Sequence, residues 1–330
     1  MDDVAELQSK ARDIFRDALV WDTTLGWLMG SPHPETLPRF RAAGFNHISL
    51  TVGVDLLGPE IVLKEMGAVY AMCAREPDKY VLASDVAAID AAKKAGKLAL
   101  TFNLQGTNGV GGNIELVEIF YRLGVRSMLL AYNKKNLVGD GCTERTDGGL
   151  SRFGVSLVKE MNRVGMLVDG SHSGYRTTMD AMEVAEAPFI FSHSSAYAVF
   201  PHYRNIKDDQ ILACAKTGGV IGVCGLWHDT KASTETMFRH IDHIAQLIGV
   251  EHIGLGLDYV REREVFWQYV RADTDLWPLI DGKPHAETDF VQPEELVEVA
   301  EHMLRHGYTD EQVRGVLGEN FRRVAAQVWK

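Results

Sequence analysis

The chain has 330 residues, 46% hydrophobic and 24% charged, with a formal net charge of −11 at neutral pH. This is enough to bury a globular core without staples, and the acidic balance gives no electrostatic reason to bind nucleic acid or an anionic membrane. Four cysteines, Cys73, Cys142, Cys214 and Cys224, lie far apart with no CxxC pair, which argues against a disulfide framework or a cysteine zinc site and fits a reducing, cytoplasmic setting. Met1-Asp2-Asp3 is acidic with no apolar stretch behind it, so no signal peptide is expected. No apolar run approaches the ~20 residues that span a bilayer.

Residues 3–18 read as an amphipathic helix with Val4, Leu7, Ala11, Ile14 and Phe15 on one face. Short apolar runs then recur: Leu19–Thr24, His47–Val52, Leu98–Gly106, Ser127–Tyr132, Leu167–His172, Phe189–Ser194, Gly219–Gly225 and Ile253–Asp258. Their near-continuous hydrophobicity suits strands covered on both faces. Helical patterns lie between them, as at Glu115–Leu123, Gly154–Val164 and Thr234–Leu247. About eight strand–helix units in a chain of this size predict a closed (β/α)8 TIM barrel. The rival, an open doubly wound sheet, would want a glycine-rich phosphate turn after an early strand, and none stands there. One domain is therefore expected over residues 1–330, with an N-terminal helix and a C-terminal helical tail.

Tyr259–Glu294 reads as a long irregular stretch carrying Phe266, Trp267, Tyr269 and Trp277. Such a length is functional or an interface, or else a surface excursion that packs its own aromatics. Thr309 with Gln312 reads as a capping box opening a helix that runs towards Trp329.

In a barrel, polar groups at strand carboxyl ends are the first suspects for chemistry. Three strands end in His172, His193 and Asp258. The two histidine strands are neighbours, so both imidazoles would lean over one mouth. Two histidines and a carboxylate suit zinc. Asp258 would ligate the ion or take a proton from water. A lone strand-end histidine is more often structural; two on consecutive strands beside a carboxylate favour a site. His240, His243 and His252 read as structural or solvated, and Cys224 as a small core residue.

Beyond these residues the sequence resembles the renal (membrane) dipeptidase family, peptidase family M19 of the amidohydrolase superfamily. The resemblance is carried by Asp169-Gly170-Ser171-His172 and Phe191-Ser192-His193-Ser194, then Tyr197, Arg204-Asn205 and Asp208-Asp209. Gly149–Gly154, Glu160–Gly165, Gly256-Leu257-Asp258-Tyr259 and Gly318–Val324 also match. It implies a two-zinc hydrolase of dipeptides. His172 and His193 match two ligands of one metal, Asp258 the catalytic or ligating aspartate, and Arg204 an arginine that holds a substrate carboxylate. Tyr197 and Asn133 are the further expected substrate contacts.

Three matches fail. Where the family has Asp-Gly-His-x-Asp, this chain reads Asp22-Thr23-Thr24-Leu25-Gly26, so Thr24 and Gly26 replace two ligands. Gln105-Gly106 stands in place of the bridging Glu-Gly, and Ala131-Tyr132-Asn133 where some members present a substrate-contacting His. Losing these anionic ligands together leaves one centre unsupported. The expectation is at most one zinc, held by His172 and His193 with Gln105 or Asp258, and Asp258 and Tyr132 as catalytic candidates. The glycine-rich loop 136–149, with Glu144, Arg145 and Asp147, either faces substrate or forms a charged surface.

The leading expectation is a hydrolase of a C–N bond in a small, carboxylate-bearing, dipeptide-like substrate. The alternatives are a non-catalytic or metal-free barrel that binds a small ligand, and metal-free chemistry run by Asp258 and Tyr132. The oligomeric state is left open, a homodimer being compatible.

Overall fold

Eight parallel strands close on themselves in this computed structural model, which describes residues 2–27, 35–226 and 233–330. They are β1 (Trp21–Gly26), β2 (His47–Val54), β4 (Leu98–Gln105), β5 (Val125–Leu129), β6 (Leu167–Asp169), β7 (Ile190–Phe191), β8 (Val220–Cys224) and β9 (Ile253–Gly256). β1 pairs with β2 on one side and β9 on the other, and the β2–β4 ladder closes the ring. The expected (β/α)8 barrel is present. A short strand that the sequence pattern did not reveal, β3 (Tyr80–Leu82), pairs with β4 along Leu98–Leu100; β5 pairs further along, at Phe102–Leu104.

Strand alternation divides β2 and β4 into two faces. Ile48, Leu50, Val52, Leu100, Phe102 and Leu104 are fully buried in the main apolar core. The other face lines the barrel and is polar. His47 Nε2 meets Thr101 Oγ1 at 3.0 Å, Asn103 Nδ2 donates to Ser49 O at 3.1 Å, and Thr51 Oγ1 donates to Asn103 Oδ1 at 2.9 Å. This ladder climbs from the barrel floor to the mouth, where Gln105 ends β4.

Several elements differ from expectation. The strands β5, β6 and β7 stop earlier than their apolar runs, because the residues beyond them turn out of the ladder to build the mouth. Within Tyr259–Glu294 lies a helix, Arg263–Ala272, and Trp267 and Trp277 are buried. The C-terminal capping box forms at Thr309, but the tail is not one helix. A π turn at Gly315–Glu319 separates Asp310–Arg314 from Asn320–Val328. At Gly318 an added Cβ would come within 2.3 Å of the Leu19 carbonyl, so the chain has to pass β1 there as glycine. The N-terminal helix, Asp2–Asp17, packs on Leu296–Arg305. Among the described residues, no helix is long and apolar enough to cross a membrane.

His47 is fully enclosed, and burial pushes its imidazole down to about 3. Between that value and the ordinary 6.5 the unfolded chain holds a proton that the folded chain does not, so stability falls as pH falls through this window. We predict that His47→Gln flattens the urea-midpoint decline between pH 6.5 and 4.5, removing about 1.4 kcal/mol per pH unit of acid sensitivity. An unchanged slope would show that His47 is protonated equally in both states.

Candidate metal centre at the barrel mouth

Three residues at strand exits have left-handed backbone: Asn133 (φ 55°) after β5, His172 (φ 64°) after β6 and Asp258 (φ 52°) after β9. Asn, His and Asp are among the side chains that tolerate this conformation, and its clustering at one mouth is typical of a built site. The turn lifts each side chain off the sheet and over the barrel axis.

Aspartates hold the exits in place, Asp169 and Asp22 buried and Asp55 half-buried. Asp169 Oδ1 accepts from the backbone N–H of Ser171 (2.9 Å) and Ser192 (3.0 Å), tying the β6 and β7 exits together. Asp22 Oδ1 does the same for Thr24 (3.3 Å) and Leu257 (3.0 Å), joining β1 to β9. Asp55 accepts from Asn108 N (3.0 Å), Tyr132 N (2.9 Å) and Asn136 Nδ2 (2.9 Å), joining the β2, β4 and β5 exits. Burial pushes all three carboxyls up, Asp22 to about 8. Sequence reading assigned none of them a role. For Asp169 and Asp22 the available signal was an acidic residue two or three positions before a position the family motif singles out; Asp55 carried none.

These staples bring His172 and His193 to a ring separation of 5.0 Å. His172 Nδ1 lies 2.7 Å from Asn133 Oδ1, which can only accept, so Nδ1 carries the hydrogen. The Asn133 amide is oriented by its other end, Nδ2 donating to Leu276 O at 3.1 Å. His193 Nδ1 lies 2.7 Å from Ser192 Oγ. His172 Nε2 is therefore a lone-pair acceptor, and the Nε2 atoms of both histidines are buried with no hydrogen-bond partner. Burial, with Arg204 adding to it, holds both imidazoles well below their ordinary pKa and so neutral at pH 7. One ligand atom each from His172, His193 and Asp258 lie within 4.8 Å of one another, the one such histidine–acid group among the described residues. Two orphaned imidazole nitrogens, each with its other nitrogen fixed from behind, are what a divalent ion requires.

Asp258 is pushed up to about 6 by burial, with Arg204 and a hydrogen bond from Gln105 pulling the other way. Gln105 is placed beside this group. Its Nε2 donates to Thr24 Oγ1 (3.1 Å) and Thr51 Oγ1 (3.2 Å), and the two hydroxyls meet at 3.2 Å. The acid that converges on the imidazoles is thus Asp258, while Gln105 is engaged with a neutral hydroxyl network. Thr24 belongs to that network, and Gly26 ends β1, where an added Cβ would make ordinary contacts with the Tyr259 carbonyl and Val260.

Arg204 is 2% exposed; its Nη2 donates to His193 O at 3.3 Å and its Nε has no partner. It faces a cavity of about 240 Å³ that His172, Cys142, Tyr203 and Glu144 also line, with Tyr197 half-exposed at its edge. Tyr132 stacks on the His172 ring at 4.0 Å. Asn133, expected to contact substrate, is instead fully buried behind His172 with both ends of its amide engaged. The loop 136–149 is ordered round Asp140, which accepts from Thr146 and Gly148, and Glu144 and Asp147 reach the cavity wall. His240, His243 and His252 all bond protein groups away from the mouth, and Cys224 is buried.

Residues 56–266 match the family model for membrane dipeptidases, peptidase family M19. A dipeptidase of Claviceps purpurea, tcpJ, is 34% identical over 242 residues, 71% of this chain and 52% of that protein. A second, verJ of Clonostachys rogersoniana, is 29% identical over 81% of this chain and 64% of its own length. The chain thus spans between half and two thirds of these fungal relatives. An amidohydrolase structure from Pseudomonas aeruginosa superimposes with TM-score 0.86 at 28% identity, covering 97% of this chain and 99% of its own. A Rhodobacter sphaeroides metallopeptidase, liganded with a phosphinate mimic of L-Ala-D-Ala, shares the fold at TM-score 0.76 and 19% identity, covering 95% of this chain and all of its own.

The hydroxyl network at the mouth can be tested by itself. Thr51→Val keeps the shape but leaves Asn103 Oδ1 and Gln105 Nε2 each short of a partner. It should lower the unfolding free energy by about 1–3 kcal/mol. Thr51→Ser should lose much less. Equal loss in the two variants would assign the effect to packing.

Proposed function

The chain belongs to the membrane dipeptidase family, peptidase family M19, and on that premise we propose that it hydrolyses a C–N bond in a small, dipeptide-like molecule bearing a carboxylate, using one metal ion. The observation that carries this reading is the pair of buried, unpartnered Nε2 atoms of His172 and His193 converging with the Asp258 carboxylate. These three residues would hold a divalent ion, zinc by the nature of the donors. When bound, such an ion polarises the scissile carbonyl and acidifies the attacking water.

The chain's own residues supply the rest. Arg204, buried with an unused Nε–H, offers a charge-assisted bond to the substrate carboxylate. Asp258, converging on the same point as the two imidazoles, has a second carboxylate oxygen that could accept the proton of the attacking water and return it to the leaving amine. Tyr132 and Trp277, packed on His172, exclude bulk water from its outer side. The dipeptidase names of the fungal relatives and the bound dipeptide mimic of the Rhodobacter enzyme support the substrate class.

A second ion would need anionic ligands of its own, and among the described residues the one histidine–acid group is His172, His193 and Asp258. Thr24 and Gln105 fill the β1–β4 side with a neutral network bonded to itself, and two cations side by side repel unless carboxylates offset them. Mass-spectrometric metal counting on protein purified without chelator should give one equivalent or less, and simple dipeptides should turn over slowly or not at all. The triple variant Thr24→His, Gly26→Asp, Gln105→Glu should raise uptake towards two. At Gly26 an added Cβ meets the Tyr259 carbonyl at 3.5 Å and Val260 Cγ2 at 4.0 Å, both ordinary contacts. Two equivalents in the natural chain would overturn the one-ion reading; none would leave a metal-free, ligand-binding barrel.

Arg204→Ala should act mainly on KM, raising it roughly ten- to a hundredfold for the substrate turned over, the equivalent of about 1.5–3 kcal/mol. A fall in kcat with KM unchanged would remove Arg204 from carboxylate binding.

A further inference from the structure

The excursion after β9 crosses the mouth as a roof, residues 273–290. Its feet are clamped by one side chain: Arg39 donates to Glu294 (2.6 and 2.7 Å), Gln292 (2.8 Å) and the Tyr259 hydroxyl (2.5 Å). Behind, it is laced to the helix Arg263–Ala272 by Trp267 Nε1 to Thr288 O (3.0 Å) and Arg271 to Glu287 (2.6 Å). In front it meets the mouth through the Trp277 ring, edge-on to His172 and Tyr132, and through the Leu276 carbonyl, which accepts from Asn133 Nδ2.

That last bond gives the roof a hold on His172. An amide side chain has two orientations related by a half-turn. With Nδ2 on Leu276 O, the Asn133 oxygen faces His172 Nδ1 and selects the imidazole with its lone pair on Nε2, aimed at Asp258 and His193. Cys142 Sγ, donating to the same oxygen at 3.3 Å, favours the same orientation. In the reverse orientation the amide NH2 faces Nδ1 and selects the other tautomer, whose Nε2 carries a hydrogen and cannot ligate. A roof docked through Leu276 therefore favours the ligating tautomer. An ion on Nε2 fixes Nδ1–H, which demands the Asn133 oxygen and aims Nδ2 at the roof.

We infer that Asn133 is a positioning residue that couples roof docking to metal binding, each strengthening the other by the same factor. The inference rests on the one-metal reading above. Linkage requires the reciprocity, and hydrogen-bonded partners behind a ligating histidine typically affect metal affinity 10–100-fold.

The experiment uses the full chain and zinc alone, with two readouts: affinity by chelator competition, and hydrogen exchange of the backbone amides in residues 274–290 with and without zinc. In the natural chain zinc should slow roof exchange by roughly 10–100-fold. Asn133→Asp keeps an acceptor for His172 Nδ1–H but sets a second oxygen against the Leu276 carbonyl. It should bind zinc at least as tightly, and zinc should no longer slow the roof. Asn133→Gly, which suits the positive φ, loses both bonds and should bind zinc roughly 10–100-fold more weakly. Zinc binding that leaves roof exchange unchanged in the natural chain, or slows it equally in Asn133→Asp, overturns the coupling and spares the metal reading. A natural chain that binds no zinc overturns both. Should either variant fail to fold, the natural chain's exchange with and without zinc still decides.

Discussion

A polar mouth has to be built on the ends of apolar strands, and the interaction that permits this is an aspartate side chain accepting backbone N–H groups from two neighbouring strand exits. Asp169, Asp22 and Asp55 each do so. Where β6 and β7 stop, their amides lose the ladder that would satisfy them, and an unpaired buried amide is costly. Asp169 restores those bonds and fixes the spacing of the two exits. His172 and His193 then turn off the sheet without leaving the backbone unsatisfied. The left-handed turns at Asn133, His172 and Asp258 persist because bonds on both sides over-determine them.

The electrostatics of the mouth follow from the same burial. Neutral imidazoles, a raised carboxyl and one deeply buried arginine make a centre that would suit one cation beside one anionic group. On the β1–β2–β4 side Thr24, Thr51, Gln105 and Asn103 hydrogen-bond one another. On the β6–β7 side the reverse holds: the Nε2 atoms of His172 and His193 are buried and have no hydrogen-bond partner among the described residues. The asymmetry is a property of the packing around each group as much as of residue type.

The roof extends this logic from the first contacts to the whole excursion. Trp277 is buried against the mouth and Phe290 against the helix behind, so the roof is neither a free loop nor a separate surface feature. One carbonyl, Leu276 O, reaches the amide that sets a ligand's tautomer. A conformational element and a protonation pattern thus share a single side chain, with opposite atoms of the amide serving each.

Much of this was legible in the chain. Strand-length apolar runs separated by helical patterns determined the barrel, because a strand covered on both faces must be apolar throughout and a parallel strand needs a crossover. Histidines and an aspartate at the ends of those runs marked the mouth, since strand ends are where side chains leave the core. The substitutions at Thr24, Gly26 and Gln105 were visible as changes of chemistry at matched positions. The tertiary structure alone decided the rest. Asn133 read as a substrate contact because residue type cannot show which atoms of an amide are already engaged, and its partner Leu276 lies 143 positions away. Asp22, Asp55 and Asp169 carried no assigned role in the sequence because amides they hold belong to other strands. Tautomer, orphaned nitrogen and roof contact are all set by groups distant in sequence, and only closure of the barrel brings them within hydrogen-bonding range.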